Sequence, residues 1–159
     1  MTSPISSNTP RNALTRHVAA GVRLQLGYSA FCLRNQDRYI RYAQARSLDA
    51  SRARAVVESV LDALVETWPA VISSDRPASI VWDMLATRVA AAAREARERR
   101  TGRGRDTLHS ALPDQQADVV VLRYRLCLTA AETADLMGLD EPEVTVQLRW
   151  GLSHLTNRG

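Results

Sequence analysis

Apolar and polar residues follow a helical period along nearly the whole chain, and no stretch keeps the period of two that marks a strand. The pattern predicts a first helix over 12–26, NALTRHVAAGVRLQL, weakened by Gly21. A second is expected over 29–47, with Phe31, Tyr39, Ile40 and Ala43 as its inner stripe. The third, over 50–68, has the widest apolar face: Val56, Val57, Val60, Leu61, Leu64 and Trp68. Pro77 closes the breaker DRP and opens a fourth helix. That helix starts with Ile80, Val81, Trp82 and Leu85 and runs to residue 100, ending in REARERR. Trp68 and Trp82 lie on apolar stripes and are expected in the core.

This rhythm breaks once. Residues 101–110, TGRGRDTLHS, hold two glycines, two arginines and no apolar run, and read as a flexible linker. Three shorter helices follow. LPDQQADVVVLRYRL has Pro113 in its first turn. TAAETADLM carries a capping box, Thr129 with Glu132, and Gly138 as its stop. DEPEVTVQLRWGLSHL carries a second box, Asp140 with Glu143. The Gly138-Leu139 gap is the turn of a helix-turn-helix. The expected fold is all-α: two small helical domains joined by a flexible linker, the C-terminal one a helix-turn-helix. The boundaries are a disordered tail over 1–12, one domain over 13–100, the linker over 101–110 and the second domain over 111–159.

Composition narrows the function. A chain of 159 residues, 45% hydrophobic, supports one average domain or two small ones. No apolar run approaches the ~20 residues of a membrane span, and MTSPISSNTPRN has no signal-peptide core, so a cytoplasmic protein is expected. Cys32 and Cys127 lack metal spacing and read as small buried or half-buried residues; His17, His109 and His154 stand singly and read as surface or packing residues. Nucleophile-elbow, phosphate-loop, dinucleotide and zinc-protease motifs are absent from the sequence. Neither an enzyme nor a cofactor or metal is expected.

All 21 basic residues are arginine, and their distribution is uneven. Residues 1–107 hold 17 Arg against 10 acids, a balance of +7, whereas 108–159 hold 4 Arg against 7 acids, a balance of −3. The basic half is therefore not the helix-turn-helix half, unlike a module that grips phosphates by itself.

The segment LPDQQADVVVLRYRLCLTAAETADLMGLDEPEVTVQLRWGLSHL resembles region 4 of the extracytoplasmic-function sigma factors, which recruit bacterial RNA polymerase to promoters. The matching positions are Leu112, Pro113, Val120 to Tyr124, Leu128, Thr129, Glu132, Ala134, Met137 and Gly138. In the last helix they are Val144, Leu148, Gly151, Leu152 and Leu155. YIRYAQARSLDASRARAVVESVLDALVETW and IVWDMLATRVAAAAREARERR resemble two region 2 helices, one that binds the polymerase clamp and one that reads the −10 element. The chain departs from the family pattern in three places. Ala55-Val56-Val57-Glu58-Ser59 lacks the flanking acids of the clamp motif. Thr87-Arg88-Val89 lacks the usual Asn. In the last helix, Thr145, Gln147 and Trp150 stand where cations are common. The resemblance implies an atypical sigma-factor-like regulator that binds core RNA polymerase and promoter DNA; the alternative is an adaptor that binds a transcription protein without reading promoters. An anti-sigma or other regulatory protein is a further implied partner.

The implied DNA contacts are Thr129, Glu143, Thr145, Gln147 and Arg149 in the helix-turn-helix, with Arg88, Arg94 and Arg97 in the region 2-like helix. Gln suits adenine, Arg suits guanine, and Glu can accept from cytosine. Val57, Glu58 and Leu61 are the implied polymerase contacts. Val146 and Trp150, i and i+4 on the outward face of the last helix, form a candidate protein-binding pair unless Trp150 folds back on the preceding helix. Weak phosphate contacts imply weak binding to free DNA.

Overall fold

The computed structural model describes residues 10–99 and 106–158, with side chains from residue 13 onward. Helix α1 spans Pro10–Ala45 without interruption, so the two helices expected over 12–26 and 29–47 are one. Tertiary contacts override the weak Gly27 junction. Tyr28 packs edge-on against Trp68 at 5.8 Å, and its hydroxyl donates to the Leu61 carbonyl at 2.8 Å. Phe31 lies 5.3 Å from the same indole. Helix α2, Ala50–Ile72, is capped by Asp49, whose carboxylate accepts the Arg52 N–H at 2.8 Å. It runs past its expected end because Pro69 faces solvent while Trp68 and Val71 stay buried. Helix α3, Pro77–Arg99, completes a three-helix bundle through short turns.

The C-terminal unit starts earlier than expected. Asp106 is buried and caps α4, Thr107–Ala111, so residues 106–110 of the stretch read as a linker are structured; residues 100–105 lie outside the described residues. The tail read over 1–12 also falls largely outside them, although residues 10–12 already belong to α1. Pro113 sits at the N-cap of α5, Asp114–Val120, rather than inside its first turn. The helix then widens into a π turn over Val121–Arg125, closed by the Leu126 N–H on the Val121 carbonyl at 3.2 Å. Cys127 follows with φ 56, which turns its side chain out; it is exposed rather than half-buried.

Helix α6, Ala130–Met137, has its full capping box. Thr129 Oγ accepts the Glu132 N–H at 3.1 Å, and the Glu132 carboxylate accepts the Thr129 N–H at 2.8 Å. Gly138, at φ 66, ends it in the left-handed conformation. The second box does not form. Asp140 begins α7, Glu141–Thr156, without a side-chain cap bond, and its carboxylate lies 3.7 Å from Arg76 on the α2–α3 turn.

One hydrophobic core runs through both units. Tyr42, Val57, Leu85, Val119, Leu122, Leu136 and Val144 belong to a single buried cluster, with Trp68 and Trp82 in it as expected. A smaller cluster of Leu112, Ala117 and Val120 lies under α7. Among the described residues no helix is long and apolar enough to cross a membrane.

Candidate nucleic-acid interface

Two contacts fix α7 on its support. Val144 is fully buried, and Gly151 lets the helix approach α5 so closely that an added Cβ would meet Val120 Cγ2 at 3.1 Å. Leu148, Leu152 and Leu155 are half-buried beside them. The 3.6-residue period then turns Thr145 and Arg149 to solvent, with Gln147 half-exposed. Trp150 does not fold back: it is 53% exposed, beside Val146 at 38%. Glu143 is half-buried at the acidic tip, next to exposed Asp140 and Glu141. Thr129 is exposed, but its hydroxyl is engaged in the α6 cap.

The region 2-like residues fall less favourably. Arg88 is held by Ser59, donating to its carbonyl at 3.0 Å and to its hydroxyl. Arg94 lines an open groove of about 560 Å³ between α3 and α5, with Trp82, Asp83, Asp114 and Asp118. Arg97 is exposed near the end of α3. Val57 and Leu61, read as polymerase contacts, lie in the core at 0% and 5% exposure. Helix α2 packs on both α1 and α3, so its full apolar stripe turns inward; of the three implied contacts on it, Glu58 alone is exposed.

Sequence reasoning missed the buried polar network that joins the two units. Arg46 donates from Nε to Asp106 Oδ2 at 2.5 Å and from Nη1 to the Tyr42 hydroxyl at 3.1 Å. Tyr42 donates to Asp118 Oδ1 at 2.5 Å, and Trp82 Nε1 donates to Asp118 Oδ2 at 3.3 Å. His109 bridges the two carboxylates: Nδ1 to Asp106 at 3.0 Å, Nε2 to Asp118 at 2.7 Å. Carboxylates only accept, so below its raised pKa His109 is an imidazolium and donates from both ring nitrogens. Two cations and two carboxylates thus neutralise each other inside the protein. Around this seam lie weaker exposed pairs, Arg34 with Asp135 at 3.3 Å and Arg38 with Glu132 at 3.2 Å. The basic N-terminal half and the acidic C-terminal half meet each other here, which gives their charge imbalance an intramolecular use.

The network titrates in opposite directions. Burial alone depresses the pKa of His109, but its hydrogen bonds to Asp106 and Asp118 outweigh burial and raise it above the ordinary 6.5. Burial alone raises the pKa of Asp106, but hydrogen bonds from His109 and Arg46 hold it well below the ordinary 3.8. The stabilisation from His109 is complete below its unfolded pKa of 6.5 and disappears as pH rises through the higher folded value. That from Asp106 is present above 3.8 and disappears as pH falls through the lower folded value. Stability should therefore peak between about pH 4 and about pH 6.5 and decline on the alkaline side. Urea midpoints across that range and on its alkaline side test this; His109→Gln should flatten the alkaline decline, and an unchanged slope would remove His109 as its cause.

An all-α unit with a capped helix, a left-handed glycine turn and a second helix whose outer face is free is a helix-turn-helix. Residues 106–155 match the family model for sigma-70, region 4. The C-terminal unit is therefore a region 4 domain of the sigma-70 family, and the match begins at Asp106, inside the segment read as linker. A comparison with curated proteins finds no match for the chain.

Proposed function

We propose that the chain is a sigma-factor-like regulator that binds core RNA polymerase and uses α7 to select promoter DNA. The observation that carries this reading is the geometry of α7. Its inner face is locked into the helix-turn-helix, while Thr145, Gln147 and Arg149 remain accessible on the outer face. Gln147 suits adenine and Arg149 suits guanine in the major groove. Asp140, Glu141 and Glu143 at the tip repel phosphate, so free DNA binds weakly and tethering through polymerase supplies the effective concentration. Asp83, Thr87 and Arg94 are exposed on the α3 side of an open groove whose other wall is α5, so parting of the two units would widen the access of a promoter to α3.

A second reading, a sigma-like adaptor, is favoured by the exposed Val146–Trp150 pair on the same helix and by the burial of Val57 and Leu61. One experiment separates the two: binding of the purified protein to core polymerase, followed by transcription from a promoter library. Under the first reading, combined Gln147→Ala and Arg149→Ala reduces promoter selection by roughly 10- to 100-fold and leaves polymerase binding intact. Under the second, polymerase or another transcription protein binds without promoter-specific transcripts. Changing Val146 and Trp150 to serine then weakens that binding. A protein that binds no polymerase removes the first reading, and if it also binds no other transcription protein, the second.

A further inference from the structure

Helix α1 carries two apolar faces. Leu24, Tyr28 and Phe31 pack against the core. A second row, Leu14, Val18, Val22 and Leu26, recurs at every fourth residue and is between 53% and 68% exposed. Such a row is an i±4n ridge, the feature through which helices commonly interlock. Four large aliphatic side chains in line exceed the scattered exposed apolar residues of an ordinary surface.

The row is self-complementary. Leu-Val-Val-Leu at equal spacing reads the same in both directions. When a second α1 is laid antiparallel with a two-fold axis at Ala20, Leu14 faces Leu26 of the partner subunit and Val18 faces Val22 of the partner subunit. A two-fold contact requires this reciprocity, residue i on j and j on i. At that level Ala19 and Gly21 flank the row and Ala20 lies on the opposite side of the helix, so no large side chain beside the row obstructs the crossing. The separation of the helices where they cross is then set by Val18 and Val22.

Area sets the strength. At their exposures, the four side chains on each chain contribute about 500 Å² of apolar surface in total. Weak interfaces are little more than half apolar, so the whole contact reaches roughly 900 Å². That lies at the small end of specific interfaces and gives a concentration-dependent dimer rather than a permanent one. Charge acts against it. Residues 1–36 hold Arg11, Arg16, Arg23 and Arg34 and no acid. The helical period places Arg16 and Arg23 well away from the row, so their repulsion is long-range and open to screening by salt.

We infer that this chain forms a weak homodimer through antiparallel pairing of α1 about Ala20.

Sedimentation of the full chain tests this without polymerase or DNA, so its outcome stands apart from the transcription experiment. The expected result is a monomer–dimer equilibrium that tightens as salt is added, the opposite of the salt effect on DNA binding. Val18→Glu should weaken it by roughly tenfold or more, with far-UV helicity unchanged because position 18 is exposed. Adding Val22→Arg to the same chain should restore it, because the two-fold sets those positions against each other across the contact. In a parallel pairing each position meets its own copy, and the double variant would stay monomeric. A chain that is monomeric at every accessible concentration overturns the dimer and leaves the row to an acidic partner. A dimer indifferent to Val18→Glu, or one not rescued by the second change, overturns this register.

Discussion

Replacing Asp118 with alanine should cost the protein about 3–5 kcal/mol of stability, the range for breaking a buried charge network by removing one member. Asp118 is 3% exposed and accepts hydrogen bonds from Tyr42, Trp82 and His109. Its loss leaves the His109 Nε2–H, the Tyr42 hydroxyl and the Trp82 indole N–H without their acceptor in a largely buried site, and each unmet donor has its own desolvation cost. Three separate elements supply these donors: α1, α3 and α4. The damage therefore falls on the docking of the C-terminal unit, more than on any one helix. Urea unfolding should show the loss, and small-angle scattering should show a larger radius of gyration as the units separate. Asp118→Asn keeps the volume and one acceptor oxygen, so it should fall between wild type and alanine. A loss under about 1 kcal/mol for Asp118→Ala, with scattering unchanged, would show that apolar packing alone holds the seam.

If promoter contact is eased by parting of the units, that variant has a second use. It should weaken the fold while making α3 more accessible to a promoter. A stability defect accompanied by unchanged or raised polymerase-dependent activity would separate the role of the seam from that of α7.

What could be read from the sequence divides along the same line. The helix-turn-helix was legible because its signals are local: the Thr129–Glu132 box, Gly138 two residues before Asp140, and the 3.6 period that turns Val144 and Gly151 inward. The core tryptophans were legible from periodicity. The periodicity of α2 also placed Val57 and Leu61 on the inner stripe. The family resemblance gave those positions a partner role, and the packing of α2 follows the stripe. The seam was not legible, because Arg46 and Asp106 are 60 residues apart, Tyr42 and Asp118 are 76 apart, and no local pattern pairs them. The glycine-arginine composition of 101–105 also masked a real signal. Asp106 three residues before His109, with Pro113 beyond, is a helix start and stop within the supposed linker. The single helix α1 was missed for a related reason: Trp68, 41 residues after Gly27, supplies the contacts that carry the helix across the junction.

Gly138→Ala should be the other severe substitution, and for two reasons that can be separated. Gly138 has φ 66, where a side chain costs about 1 kcal/mol or more. It also lies against the first turn of α3. An added Cβ would stand 2.7 Å from the Ser79 Cα and closer still to its backbone nitrogen. Neither atom is the end of a flexible side chain, so one backbone must move, and the turn of the helix-turn-helix is pushed off α3. Strain and displacement together should reach about 3 kcal/mol or more, which for a chain of this size lowers the melting temperature by about 10 °C. Gly138→Asn discriminates between the causes, since asparagine tolerates the left-handed conformation but still brings a Cβ. Equal losses for alanine and asparagine would identify the Ser79 contact as dominant, and a much smaller loss for asparagine would identify backbone strain. Wild-type stability in Gly138→Ala would mean that the helix-turn-helix does not rest on α3 at this point.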